Sequence, residues 1–177
     1  MIRITGGEDR SRLLKTPDSK LTKPTMDKVR AGVFSALGDS VIGATVLDLF
    51  AGSGSYGFEA LSRGAKSATF VDSQLLATKI IKENGANLRK ENIQVFNMDI
   101  FSFLQQNSQE FSIIFADPPY KLDIYEKLVK TLILSNFLSS NAIIVLESEN
   151  ELDLDFSYFS SVRSYKYGLA RVYILRK

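Results

Sequence analysis

The 177-residue chain has no cysteine and no histidine. A thiol nucleophile, an imidazole general base, disulfides and the soft-ligand sites of most zinc proteins are thereby excluded. Long apolar runs are absent too. The longest, about Ala142 to Leu146, falls far short of the roughly 20 residues that cross a bilayer. The N-terminal MIRITGGEDR has none of the apolar stretch of a signal peptide, so no membrane association and a cytoplasmic location are expected. What survives is carboxylate chemistry, oxygen-ligand metal binding, or a reaction whose reactive group a cofactor carries.

Hydrophobic residues make up 45% and charged residues 24% of the chain, the balance of an ordinary globular protein of one domain. The net charge of +2 hides an uneven distribution. Residues 1–30 hold eight basic and four acidic side chains, a net of +4, which leaves 14 basic against 16 acidic for residues 31–177. A basic run of this kind is often only a solvated face.

Residues 1–24 are irregular, with Gly6-Gly7, Pro17 and Pro24, and admit at most a short hairpin. Val29, Val33, Phe34 and Leu37 then recur at helical spacing until Gly38, predicting an amphipathic helix from about Thr25 to Leu37. Residues 1–38 are read as a basic arm and helix, and 39–177 as the main domain. From Thr45 onward, short apolar runs alternate with helix-length segments. The runs are 45–51, 67–72, 93–99, 111–120 and 141–148; the helical segments are 55–63, 73–88, 100–106 and 124–137. That rhythm predicts an α/β fold with a mostly parallel sheet and helices on both faces. The tail lacks a helix-length insert, so 152–162 and 168–176 are expected to pair antiparallel at one edge.

Two loops carry the chemistry. The first strand enters VLDLFAGSGSYG, whose Gly52, Gly54 and Gly57 form GxGxxG between a strand and a helix. Such a loop lets the backbone approach a ligand and offers unpaired N–H groups, but dinucleotide oxidoreductases use it as well. Asp72, twenty residues after Gly52 at a strand end, suits a ribose diol in either class. Asp48 lies inside the first strand. It could hold a cationic amino group near the loop or merely satisfy backbone N–H groups there.

The fourth strand of this series ends in Asp117-Pro118-Pro119-Tyr120. Proline stiffens the turn, leaving the Pro118 carbonyl and Asp117 carboxylate as acceptors for an exocyclic amino group on a planar ring, with Tyr120 to stack on it. The plainer reading is a proline turn that closes a strand. The acceptors' place at the crevice edge, where open α/β sheets bind ligands, favours the first.

VLDLFAGSGSYGFEALSRGA, FVD, Asp99 and DPPY together resemble class I S-adenosylmethionine-dependent amino-methyltransferases. The arm RITGGEDRSRLLKTPDSKLTKPTMDKVRAGVF is similar to that of the bacterial small-subunit ribosomal RNA guanine-N2 methyltransferases, the RsmD-like family. The resemblance implies a Rossmann-like, seven-stranded catalytic domain and methyl transfer from S-adenosylmethionine to a guanine N2 of 16S ribosomal RNA, giving S-adenosylhomocysteine. It implies that Asp48 and the loop Phe50, Gly52, Ser53 and Gly54 hold the methionine part of the cofactor, and Asp72 the ribose. Asp99 would take the adenine amino group, with Ser73 and Ile100 beside the adenosine. Asp99 also reads as the N-cap of the following helix, and both roles can hold at once. Asp117, Pro118, Pro119 and Tyr120 would bind and act on the base. Arg10, Arg12, Lys23 and Arg30 of the arm would grip RNA, the partner being ribosomal RNA or an assembling small subunit, with the protein a monomer and no metal expected.

The chain departs from the family pattern at Lys23-Pro24-Thr25, where Arg-Pro-Thr is usual, at Arg10-Ser11-Arg12 for Arg-Gly-Arg, and at Asp72 for a common Glu. The pocket motif alone leaves an adenine-N6 methyltransferase open, and the glycine loop with Asp72 leaves a nucleotide-binding module or dinucleotide oxidoreductase. Glu147, Glu149, Glu151, Asp153 and Asp155 alternate as one solvated face of an extended segment would, and they receive no role.

Overall fold

The computed structural model describes residues 1–17, 24–119 and 124–177, with the side chains of residues 24–26 excepted. Lys23 and Tyr120 therefore lie outside the described residues, and the arm is described only in part.

Two short strands, β1 (Ile2–Arg3) and β2 (Leu13–Leu14), pair antiparallel and make the expected hairpin. It is not a detached arm. Ile4 and Leu14 are fully buried and belong to the same hydrophobic cluster as the first helix, α1 (Pro24–Leu37). After a single 3-10 turn at Gly38–Val41 come β3 (Thr45–Leu49), α2 (Ser55–Ser62), β4 (Ser67–Asp72), α3 (Leu75–Leu88) and β5 (Ile93–Asn97). There follow α4 (Ile100–Gln106), β6 (Phe111–Ala116), α5 (Tyr125–Leu134), β7 (Leu138–Ser148), β8 (Ser161–Tyr167) and β9 (Ala170–Arg176).

Strands β3 to β9 form one seven-stranded sheet in the order β5-β4-β3-β6-β7-β9-β8. The first five pair parallel, while β9 runs antiparallel between β7 and β8, as expected of a tail without a crossover helix. Helices cover both faces, which is why the central strands are apolar on nearly every residue. Val46, Ile113, Phe115, Ile143, Val145, Val172 and Ile174 pack toward α1, α2 and α3. Their strand neighbours Leu47, Leu49, Ile114, Ile144, Leu146 and Leu175 pack toward α4 and α5. Edge strand β5 is only partly covered, and Phe96 on it is exposed.

One tail expectation is corrected. Residues 152–160 are not strand, and β8 begins at Ser161. The alternation there lays Leu152, Leu154 and Phe156 on the α4–α5 side instead of pairing backbone. The Leu152 N–H donates to the Tyr173 hydroxyl at 2.9 Å, and Phe156 stacks on the same ring. Apolar alternation is thus used for packing without a ladder.

Candidate active site

The site lies at the carboxyl ends of β3, β4 and β6, where the strand order reverses between β3 and β6. Register decides which side chains meet. Asp48 pairs with Phe115, and Phe115 with Val145, so these three share the face that looks toward α1 and α2. Glu147, two residues further along β7, returns to that face, and Asp117 follows directly after the end of β6, within reach of the charges of Asp48 and Glu147.

Asp48 is buried, and its Oδ2 accepts the Gly57 N–H at 2.9 Å. Burial pushes its carboxyl up to about 8, opposed by that hydrogen bond and reinforced by Asp72. Of the two sequence readings of Asp48, the hydrogen bond shows that it ties down the glycine loop, and a carboxyl buried in this way would ionise beside a cation. The loop itself is strained for that purpose. Phe50 adopts φ 58°, a left-handed conformation uncommon for a bulky residue, while Gly52 and Gly54 take φ 56° and 78° without side-chain cost. Gly57 has no room for a side chain, because a Cβ there would run into the Phe70 ring. Helix α2 thus sits close on the sheet and aims its N-terminus at the loop. Ser53 is buried in this turn, and its carbonyl accepts from Asn84 of α3 at 3.0 Å.

Asp72, at the end of β4, accepts the Gly52 N–H on Oδ2 and the Gln74 N–H on Oδ1, each at 2.8 Å. Two of the carboxylate's roughly four acceptor positions are used, which leaves capacity for a diol. Ser73 beside it is exposed. Asp99 caps α4, its Oδ1 accepting the Ser102 N–H at 3.0 Å, and Ile100 is buried behind it. Backbone glycine loop, buried acid and acceptor pair are a donor and acceptor set that fits an amino acid joined to a nucleoside.

Asp117 is half-buried, Pro118 is buried and Pro119 is exposed at the edge. Burial holds the Asp117 carboxyl well above the usual range, and the neighbouring charges of Glu147 and Asp48 push it the same way. Tyr56, from the first turn of α2, stacks on Phe115 at 4.8 Å and donates its hydroxyl to Glu147 Oε2 at 2.8 Å. Tyr56 and Glu147 are the residues that sequence reasoning missed. Sequence alternation groups Glu147 with Glu149, Glu151, Asp153 and Asp155, yet it is buried while those four are exposed. The signal was present in AIIVLE, an apolar strand that ends in a carboxylate as FSIIFAD does.

Of the four expected RNA contacts, Lys23 lies outside the described residues and the other three separate. Arg10 is exposed. Arg12 is half-exposed, pairs with Asp9 at 3.2 Å and caps the end of α3 through the Asn87 carbonyl. Arg30 is corrected: it is buried, bonded to Glu59 at 3.2 Å, to Asp27 at 2.8 Å and to the Arg3 carbonyl. Glu59 is itself wholly buried and needs that cation, together with Arg63 at 2.8 Å and Thr5. Arg30 therefore binds the hairpin to the domain and cannot reach a phosphate.

The strand order, with its parallel core and antiparallel final pair, and the strand-end constellation define a class I methyltransferase with a Rossmann-like sheet. Residues 2–176 match the family described as conserved hypothetical protein 95, and the chain belongs to that family. It is 39% identical to ribosomal RNA small subunit methyltransferase D of Escherichia coli K12 over 150 residues, covering 85% of this chain and 76% of the relative. The protein of the same name from Haemophilus influenzae is 36% identical over 157 residues, 86% of this chain and 81% of its own. Among solved structures, the Escherichia coli candidate methyltransferase yhhF superposes with a TM-score of 0.88 at 34% identity, covering 99% of this chain and 97% of its own. A Thermus thermophilus 16S rRNA N2-guanine methyltransferase, solved with AdoMet and guanosine, shares the fold at a TM-score of 0.72 and 20% identity, over 90% of this chain and 44% of its own.

Proposed function

We propose that the protein transfers a methyl group from S-adenosylmethionine to the exocyclic N2 of a guanine in 16S ribosomal RNA, working as a cytoplasmic monomer on RNA or an assembling small subunit. The observation that carries this reading is the meeting of the glycine-loop acid Asp48 with Asp117-Pro118-Pro119 on one sheet edge, in a chain more than a third identical to proteins of that name.

When bound, the cofactor supplies an electrophilic methyl on a sulfonium, so the protein needs no nucleophile of its own. Asp48 would take the cofactor's ammonium, the Phe50–Gly54 backbone its carboxylate, Asp72 the ribose and Asp99 the adenine. Asp117 and the Pro118 carbonyl accept the two hydrogens of the amino group, turning its lone pair out of conjugation with the ring. Asp117 then takes the proton that the methylated nitrogen sheds. A base in a duplex must be splayed out to reach these acceptors, so an RNA grip is required, for which Arg10 remains exposed.

The test is direct. The protein is incubated with radiolabelled S-adenosylmethionine and free ribosomal RNA, small subunits or DNA, and the labelled nucleoside is identified. N2-methylguanosine is expected; N6-methyladenosine would overturn the substrate assignment.

A further inference from the structure

Three carboxylates gather at one edge of three adjacent strands: Asp48 on β3, Asp117 at the end of β6 and Glu147 on β7. The first two have roles in the reading above, and Glu147 has none. It is not a stray acid on a wet edge. Ala116, the last residue of β6, pairs with Leu146 on the parallel β7, so Asp117 and Glu147 follow at the same level of the sheet edge, close enough for the Glu147 charge to act on Asp117. Glu147 is buried. Its Oε2 accepts the hydroxyl of Tyr56, whose ring is fixed by stacking on Phe115 and Phe34. On its other flank, the Tyr125 hydroxyl donates to the Glu147 backbone carbonyl at 2.9 Å, which pins the strand end itself.

Resting on the methyl-transfer reading, we propose that Glu147 is a positioning residue: held by Tyr56, it sets its carboxylate beside Asp117 and so sets the strength with which Asp117 accepts the proton of the methylated nitrogen. In that step the N–CH3 bond forms as the S–CH3 bond breaks, sulfur keeps the electron pair, and one N–H proton passes to an Asp117 oxygen. A weakly basic carboxylate is a poor destination for that proton; a like charge beside it makes the carboxylate more basic.

The groups facing the pair support this division. Burial raises the Glu147 carboxyl, while the Tyr56 hydroxyl from α2 and Arg30 from α1 draw it back toward the ionised form. Among the described residues, burial, Glu147 and Asp48 of β3 all favour the protonated form of Asp117. Burial raises the phenol of Tyr125 of α5, with Asp117, Glu147 and Glu149 adding to it, so it stays neutral. From β9, Val172 stands across from Glu147, and Arg171 turns to Glu151 at 3.2 Å. The first proton to enter the pair therefore belongs on Asp117.

The experiment follows the carboxyl carbons of Asp117 and Glu147 by NMR titration of the free protein, and the pH dependence of kcat in parallel. In Glu147→Gln the Asp117 titration and the acid limb of kcat both move down by about one pH unit or more, while KM for S-adenosylmethionine stays within about two-fold. Tyr56→Phe, a smaller change that serves if the first variant does not fold, raises the Glu147 titration and lowers that of Asp117. An Asp117 titration unmoved in the folded variants overturns the inference. Asp117→Ala separates the two readings: if it still transfers methyl groups, the site assignment fails, whereas an inactive Asp117→Ala beside an unshifted Glu147→Gln sinks only the role of Glu147.

Discussion

Single carboxylates do different work here because their surroundings differ. Asp99 is exposed and accepts one backbone N–H as a helix cap. Asp72 is buried but divides two N–H groups between its oxygens. Asp48 has one N–H and deep burial, and its carboxyl rises to about 8. An ammonium placed beside Asp48 would ionise it, so cofactor binding must expel a proton below pH 8. Affinity for S-adenosylmethionine is therefore expected to rise with pH up to about 8, and Asp48→Asn is expected to weaken binding by about ten-fold or more, the worth of a charge-assisted hydrogen bond. Calorimetry in buffers of different ionisation enthalpy reads both quantities. Unchanged affinity in Asp48→Asn would leave this residue only its hold on the Gly57 N–H.

At the scale of elements, the hairpin and α1 form one unit with α2. Arg30 reaches Glu59 of α2 and the Arg3 carbonyl, while Thr5 and Arg63 complete the ring around Glu59. Ser62 adds a second tie: its hydroxyl donates to the Gly6 carbonyl at 2.6 Å and accepts the Asp9 N–H at 2.9 Å. Removing Arg30 leaves a buried carboxylate with one cation fewer, so Arg30→Ala is expected to lower stability by about 3 kcal/mol, measured by urea denaturation. Arg10→Ala is expected to leave stability within about 0.5 kcal/mol and to reduce the salt dependence of RNA binding by about one unit of slope. A flatter salt slope in a folded Arg30→Ala protein with no loss of stability would restore Arg30 to the RNA-binding surface.

For the whole molecule, the sheet gathers buried acids at one edge, and this has a stability consequence. Asp48, Asp117 and Glu147 all hold their protons above the usual carboxylate range in the folded chain. Between about pH 4 and 8 the unfolded chain has released protons that the folded chain keeps, so stability of the free protein falls as pH rises through that window. Denaturation midpoints at about pH 6 and 8.5 should show the decline, and saturating S-adenosylmethionine should reduce it by ionising Asp48 in the folded state. A midpoint higher at pH 8.5 without cofactor would contradict the burial of these groups.

Much of this was legible in the chain because it is local. Each helix followed the 3–4 spacing of its apolar residues, each parallel strand an apolar run, and the loops at Gly52 and Pro118 their own backbone chemistry. The missing cysteine and histidine excluded thiol and imidazole chemistry and left carboxylates, oxygen-ligand metals or a cofactor to carry the reaction. Tertiary structure decided the rest. Arg30 reads as one more basic residue of the arm until α2 brings a buried Glu59 against it, and Glu147 reads as one of five alternating acids until strand register sets it beside Asp117. Both outcomes depend on contacts between residues 29 to 30 positions apart, 30 from Asp117 to Glu147 and 29 from Arg30 to Glu59. Charge and alternation are properties of a segment, whereas burial and the partner of a charge are set by whatever the fold lays over it.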